Sequence, residues 1–148
     1  MKKLTTEIMI EAPTSVVWET LADLDEYEEW NPFIVSIEGR VEEGSQLRAR
    51  MQPPGGMATT FKPTVTAVEH NRYFEWLGHL GIRGLFDGRH QFKLEEVGEG
   101  TMFTQSEEFT GILAPLLMRL IGSKTEAGFE AMNEALKTRV EQVVGERG

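Results

Sequence analysis

The N-terminal part of the sequence has the apolar spacing of one strand followed by short helices. Residues 4–10 form a strand-like run. Pro13 then suits the first turn of a helix, because the N–H that it lacks would be unpaired there. Apolar residues recur with helical spacing between 17 and 24, and this region must end before Asn31-Pro32. The pattern predicts a first strand and two short helices.

From residue 33 to residue 109 the apolar positions have the period of strands. Strands are predicted at 33–38, 46–51, 59–69, 72–77, 89–95 and 102–109. Pro63 cannot donate a ladder hydrogen bond, so an edge or a bulge is expected there. The segment 53–56 is predicted to be a loop. The glycine-rich segment 78–88 is predicted to be an irregular, partly apolar loop.

The period changes to that of a helix from Pro115 to about Val144. The apolar stripe of this segment consists of Phe129, Met132, Leu136, Val140 and Val143. About 30 residues at 1.5 Å each give a helix of about 45 Å. Gly122 and Gly128 indicate a bend or close packing, since each costs about 1 kcal/mol against alanine in a helix.

This order of elements predicts an α+β protein. A curved antiparallel sheet of about seven strands needs a cover for its apolar face, and the closing helix is the only element large enough. Two short helices lie between the first and second strands. The curvature of a sheet and the radius of a helix rarely match, so we expect a cavity between the two. The expected unit is one domain over 1–148, with its core at about 3–144.

Composition excludes several classes of binding partner. Its formal net charge of −9 argues against nucleic acid and against electrostatic attraction to anionic lipid. No apolar run approaches the length of a membrane span, so no stable membrane insertion is expected. Glu7 and Glu11 interrupt the only candidate for a signal peptide. The absence of cysteine fits a reducing compartment, and the cytoplasm is the expected location.

Several short motifs, taken in order, resemble the START-related helix-grip superfamily known as SRPBCC, and its polyketide cyclase/dehydrase-like branch. The motifs are Ala12-Pro13, Val17-Trp18, Trp30-Asn31-Pro32 and the segments 75–78, 84–92, 107–111 and 128–133. The resemblance covers residues 3–144. It implies a helix-grip fold, which hosts lipid carriers, hormone receptors and cyclases among other functions.

Three polar residues share the inward side of the predicted strands, namely His90, Gln105 and Glu107. A hairpin turn near Gly98-Glu99 would place position 90 opposite position 107. An imidazole that faces a carboxylate in an apolar cavity can act as a general acid/base pair, so His90 and Glu107 are the catalytic candidates. Hydrogen bonding within the fold and anchoring of a ligand are the alternatives, because a buried polar group must be satisfied.

The candidate ligand-binding residues are the apolar and polar side chains predicted to face the helix. They are Met51, Phe61, Phe74, Trp76, His90, Phe92, Phe103, Gln105, Glu107, Phe109, Leu117, Leu120 and Met132. Each aromatic residue could instead belong to the packed core. Met51 and Met57 flank the Pro-Gly loop, a candidate for the mouth of the cavity.

The sequence lacks the spacing of a metal site, a phosphate loop or a serine hydrolase, so no metal and no cofactor are expected. The predicted function is the carriage or sensing of a small hydrophobic or aromatic molecule in the cavity. One alternative is a cyclase or dehydratase of polyketide-like substrates. Another is a protein-interaction module without a ligand, for which the sequence identifies no partner.

Overall fold

The structure is a computed structural model that describes residues 2–147. Over this range eight strands and three α-helices follow one another along the chain. They are β1 (Lys2–Ile10), α1 (Thr14–Ala22), α2 (Tyr27–Trp30), β2 (Ile34–Glu38), β3 (Arg48–Met51), β4 (Thr59–Phe61), β5 (Thr64–Glu69), β6 (Tyr73–His79), β7 (Asp87–Val97), β8 (Gly100–Thr110) and α3 (Ala114–Arg147). The α+β class and the two short helices between β1 and β2 are confirmed.

The strands form two antiparallel sheets that are linked at one edge. The larger sheet has the order β1-β8-β7-β6-β5, and the smaller one has the order β2-β3-β4. The Leu47 N–H donates to the Pro63 carbonyl at 2.8 Å, and the Val65 N–H donates to the Ser45 carbonyl at 2.9 Å. These bonds join the segment before β3 to β5, so the two sheets form one wall around α3.

Two sequence predictions differ from the structure in detail. The predicted strand 59–69 is two strands, because Pro63 interrupts the ladder between β4 and β5. This break raises the strand count from about seven to eight. The loop predicted over 78–88 is confirmed for 80–86 and wrong at its ends. Gly78 and Gly88 instead face each other on β6 and β7.

The helix α3 packs its apolar stripe against the inner face of the sheet. Phe129, Met132 and Leu136 of this stripe are fully buried. They meet the aromatic side chains of the central strands, where Phe74 and Phe92 stack at a centroid distance of 4.5 Å. None of the helices within residues 2–147 combines the length and the apolar character that a membrane crossing needs.

Close packing at Gly128 is confirmed. A Cβ atom on this glycine would lie 2.5 Å from Cδ1 of the Phe33 ring, which is closer than atoms can pack. The Phe33 ring also packs edge-on against Phe129, at a centroid distance of 5.7 Å. The glycine therefore allows α3 to approach the segment that leads into β2.

Gly128→Ala is expected to lower the free energy of unfolding by roughly 1–2 kcal/mol, because overpacking outweighs the gain in helix propensity. The matched control is Gly145→Ala in the same helix, where a Cβ would meet nothing within 4 Å. There alanine should stabilise the protein by about 0.5–1 kcal/mol. Urea unfolding followed by circular dichroism measures both values. An equal stabilisation by both substitutions would contradict the close contact with Phe33.

Candidate functional site

A cavity of about 370 Å³ lies between the sheets and the N-terminal half of α3. Its wall is mainly apolar and aromatic. The lining residues are Phe33, Met51, Pro53, Gly56, Met57, Thr59, Phe61, Pro63, Trp76, Gly78, His79, Leu80, Phe86, Gly88, Glu107, Phe109, Ile121, Lys124 and Thr125. Met57 and Leu80 are exposed to solvent as well, so they lie at the mouth.

Five of the predicted ligand-binding residues line this cavity, namely Met51, Phe61, Trp76, Glu107 and Phe109. The other eight do not. Phe74, His90, Phe92, Phe103, Gln105 and Met132 are fully buried in the core, Leu117 packs on a small cluster around Phe86, and Leu120 is exposed. The reason is the path of α3. Phe129 and Met132 fill the space over the centre of the sheet, so the cavity lies beside residues 121–125 of the helix.

Several lining residues escaped the sequence analysis, and Gly88 is the most informative of them. Its place in a glycine-rich segment suggested a loop. The period of two along β7 was the signal that could have found it, because Gly88 has the same parity as His90 and Phe92. Ile121 and Lys124 were missed because the apolar period of a helix does not indicate which of its turns are separated from the sheet by a cavity.

Glu107 is the only carboxylate on the cavity wall within residues 2–147. The predicted pairing is confirmed, since His90 on β7 lies opposite Glu107 on β8. Oε1 of Glu107 is 3.3 Å from Nδ1 of His90. The carboxylate side chain is 16% exposed, whereas the imidazole is completely buried behind it. The cavity therefore presents the carboxylate to a ligand and keeps the imidazole out of reach.

The carboxylate of Glu107 occupies space that Gly88 leaves free. A Cβ atom on Gly88 would collide with Oε2 of Glu107 and would lie 3.2 Å from its Cδ. Glycine at position 88 thus lets the carboxylate lie across β7 at the cavity wall. Any larger side chain would push the carboxylate aside.

A directed chain of hydrogen bonds fixes the protonation of His90 at Nε2. The Phe129 carbonyl can only accept, and the Gln105 Nε2 lies 3.4 Å from it. The same Nε2 donates to Oδ1 of Asn133 at 2.8 Å. Oε1 of Gln105 therefore faces His90, and it accepts a hydrogen bond from the His90 Nε2–H at 2.8 Å.

The far end of this chain agrees with that direction. The Asn133 amide donates to Oγ1 of Thr6 at 2.9 Å, and the Thr6 hydroxyl donates to the Gln105 carbonyl at 3.2 Å. Both ends of the chain are backbone carbonyls, so no amide can be reversed without losing a bond. We name Thr6, Asn133, Gln105 and His90 the buried polar chain.

The consequence for chemistry concerns Nδ1 of His90. With the hydrogen on Nε2, a neutral imidazole presents a lone pair at Nδ1 to the carboxylate. Two lone pairs repel each other, so Nδ1 and Oε1 attract only when one proton lies between them. The 3.3 Å contact is too poorly aligned for a hydrogen bond, and Nδ1 has no other partner among the described residues. The Glu107 carboxylate is therefore not held by a hydrogen bond to His90.

A second histidine lies at the mouth of the cavity. Nδ1 of His79 is 2.7 Å from Oδ1 of Asp87, and the Gly84 N–H donates to Oδ2 of Asp87 at 3.1 Å. Burial raises the pKa of Asp87, but these bonds outweigh it and lower the pKa below the ordinary value. The pair holds the loop 80–86 against the ends of β6 and β7. Among residues 2–147, no three histidine, aspartate or glutamate side chains converge as metal ligands would.

Sequence comparison identifies a family. Residues 1–141 match the family described as polyketide cyclase / dehydrase and lipid transport. No curated protein matches the sequence significantly.

Solved structures share the fold across nearly the whole chain. A protein from Thermus thermophilus has a TM-score of 0.76 at 18% identity, over 96% of this chain and 99% of that chain. A START superfamily protein from Mycobacterium smegmatis has a TM-score of 0.70 at 20% identity, over 95% and 98%. The Zhui aromatase/cyclase from Streptomyces sp. R1128 has a TM-score of 0.73 at 16% identity, over 97% and 95%. The START-like helix-grip fold is therefore confirmed.

Proposed function

Because the chain belongs to the polyketide cyclase / dehydrase and lipid transport family, we propose that it binds a small, largely apolar molecule in the cavity beside α3. The observation that carries this proposal is the cavity itself. Its volume of about 370 Å³ lies within the range of known ligand sites, and its wall is apolar except for a few polar groups. Filling such a cavity with a ligand is energetically favourable, because its lining atoms lack van der Waals contacts on one side.

The wall also indicates the class of ligand. Trp76, Phe61 and Phe109 suit a flat aromatic body, since aromatic rings favour stacked or edge-on partners. Glu107 suits a hydroxyl or carbonyl group on that body, because the carboxyl can accept a hydrogen bond, or donate one when it holds the proton shared with His90. The proposed ligand is an aromatic or polycyclic molecule with at least one hydroxyl or carbonyl.

Native mass spectrometry of freshly purified protein is the first test, and a co-purified small molecule is the expected result. The second test uses 2-naphthol and naphthalene as probes, which share a ring system and differ in one hydroxyl. Both should bind, and 2-naphthol should bind about 10-fold more tightly, equivalent to ~1.4 kcal/mol. A protein without a co-purified molecule and without affinity for either probe would contradict the proposal.

Glu107→Leu should remove the preference for 2-naphthol while naphthalene still binds. The substitution keeps the volume of the side chain but removes the hydrogen-bonding oxygens. The expected loss is about 10-fold for 2-naphthol, and fluorescence titration measures it. Glu108→Leu on the outer face of the same strand is the matched control. A preference that survives in Glu107→Leu would contradict the role of this carboxylate as the polar anchor.

A second candidate function is turnover of a polyketide-like or aromatic substrate. The observation that favours it is the pair of Glu107 and His90, in which Oε1 of a carboxyl at the cavity wall lies 3.3 Å from Nδ1 of a buried imidazole. Such a pair can give a proton to a carbonyl oxygen or remove one from an adjacent carbon. A ligand that is recovered chemically changed would favour this function over carriage.

The expected location remains the cytoplasm, which suits a cysteine-free chain.

A further inference from the structure

Large apolar side chains lie exposed around the mouth of the cavity. They come from the segments 51–63, 76–86 and 111–125, which we name the cavity rim. The exposed members are Met57, Leu80, Ile82, Ile112, Leu116, Leu120 and Ile121. Met57, Ile82 and Ile112 are 87%, 73% and 83% exposed. Single apolar side chains scattered over a surface are normal. A group of them in three neighbouring segments indicates an interaction surface.

The three rim segments meet in space. Met57, Leu80 and Ile121 line the same cavity although they come from different segments. The Ile112 N–H donates to the Gly84 carbonyl at 3.1 Å, which holds the second and third segments together. Leu116 and Leu120 are one turn apart on the first turns of α3. Three of the exposed apolar side chains therefore lie at one opening, and the other four belong to the segments that form it.

The rim also differs from the rest of the chain in its charge, because it contains no acidic residue. Its three segments contain Lys62, Arg83, Arg119 and Lys124, and no aspartate or glutamate. All 24 acidic residues lie outside them, in a chain with a net charge of −9.

Three acidic residues directly adjoin the rim segments in sequence. Two of them are largely buried and paired with a basic side chain. The side chain of Glu75 is 13% exposed and is paired with Arg89, and that of Asp87 is 14% exposed and is paired with His79. Glu126, which follows the third segment on α3, is exposed. The four cations of the rim therefore outnumber the exposed Glu126 at its border and the Glu107 carboxylate on the cavity wall.

We infer that the cavity rim is a docking surface for a lipid bilayer that contains anionic lipid. Apolar side chains that project from glycine-containing loops and a helix end can enter the interfacial region of a bilayer, while lysine and arginine beside them contact the lipid phosphates. Hydrocarbon chains need no complementary shape or hydrogen bonds. A protein partner would require a surface that complements the rim in shape and in hydrogen bonding.

Co-sedimentation with vesicles tests the inference on the full chain. The probes are vesicles of phosphatidylcholine alone and vesicles with about 30% phosphatidylglycerol. Binding to the anionic vesicles should be at least about 10-fold stronger and should weaken at high salt. The variant Ile82→Ser/Ile112→Ser should reduce it about 10-fold, and Arg83→Gln/Arg119→Gln should remove the preference for phosphatidylglycerol.

Val97→Ser is the matched control for the apolar variant. Val97 is another exposed apolar residue, but it lies at the far end of β7, roughly 30 Å from the cavity end of that strand. Its substitution should leave vesicle binding unchanged. Circular dichroism verifies that each variant is folded, which is expected because all substituted side chains are exposed.

Two outcomes would overturn the inference. One is a wild-type protein that does not sediment with either kind of vesicle. The other is a rim variant that binds as well as Val97→Ser does. Light scattering identifies the competing case, a dimer that Ile82→Ser/Ile112→Ser dissociates. The inference does not depend on the proposed ligand, because a protein that binds 2-naphthol and ignores vesicles would contradict docking alone.

Discussion

Gly88→Leu is expected to abolish binding of 2-naphthol while the protein remains folded. The new side chain would begin where the Glu107 carboxylate lies and would extend into the cavity. It therefore removes the polar anchor and part of the ligand volume together. We expect affinity to fall by roughly 100-fold or more, equivalent to ~2.7 kcal/mol. Fluorescence titration and a parallel urea unfolding experiment measure the two effects separately.

Lys93→Leu is the matched control for this substitution. It also adds leucine to β7, but on the exposed outer face of the strand. Its affinity for 2-naphthol should equal that of the wild type. If Gly88→Leu binds 2-naphthol with unchanged affinity, the ligand does not occupy the cavity beside Gly88 and Glu107, and the proposed site is wrong.

The sequence correctly predicts which face of the strands carries His90 and Glu107. Side chains alternate along a strand, and a tight hairpin fixes the register of the two strands that it joins. His90 and Glu107 are on either side of such a hairpin, so their pairing follows from local information. The pairing does not depend on how the rest of the chain folds.

The position of the cavity could not be predicted in the same way. Phe92 and Phe109 have equivalent places in the alternating pattern, yet Phe92 is sealed in the core and Phe109 lines the cavity. The difference arises from the crossing of α3 over the sheet, which places Phe129 against Phe92 in the core and leaves a cavity between Phe109 and residues 121–125 of the helix. Periodicity gives the face of a strand but not the distance to the element that covers it.

Net charge does not describe the charge of a single surface, for a related reason. A value of −9 argues against anionic partners for the chain as a whole. The fold gathers three distant segments without acidic residues around one opening, which a sum over the sequence cannot reveal. Local charge, and not the total, determines attraction over distances of about 10 Å or less in physiological salt.

Gln105→Leu is expected to destabilise the protein strongly. The substitution removes the acceptor of the His90 Nε2–H and the donor to Asn133, and both groups are buried. Each unsatisfied buried group costs about 1–3 kcal/mol, so the expected loss of unfolding free energy is roughly 2–5 kcal/mol. The matched control is Gln91→Leu on the outer face of β7. That half-buried side chain accepts one hydrogen bond from Ser106 Oγ, so the expected loss is smaller, about 1 kcal/mol.

Stability alone would not distinguish a positioning role for Gln105 from simple packing, so the nitrogen chemical shifts of His90 are the decisive measurement. In the wild type, a neutral His90 should carry its hydrogen on Nε2, because Oε1 of Gln105 accepts from it. In Gln105→Leu this acceptor is gone, and the hydrogen should move to Nδ1, because the Glu107 carboxylate 3.3 Å away then becomes the acceptor on that side of the ring. A packing role predicts no such transfer. A wild-type ring protonated only at Nδ1 would show that the buried polar chain runs in the opposite direction, and Oε1 of Gln105 would then not be the acceptor that orients His90.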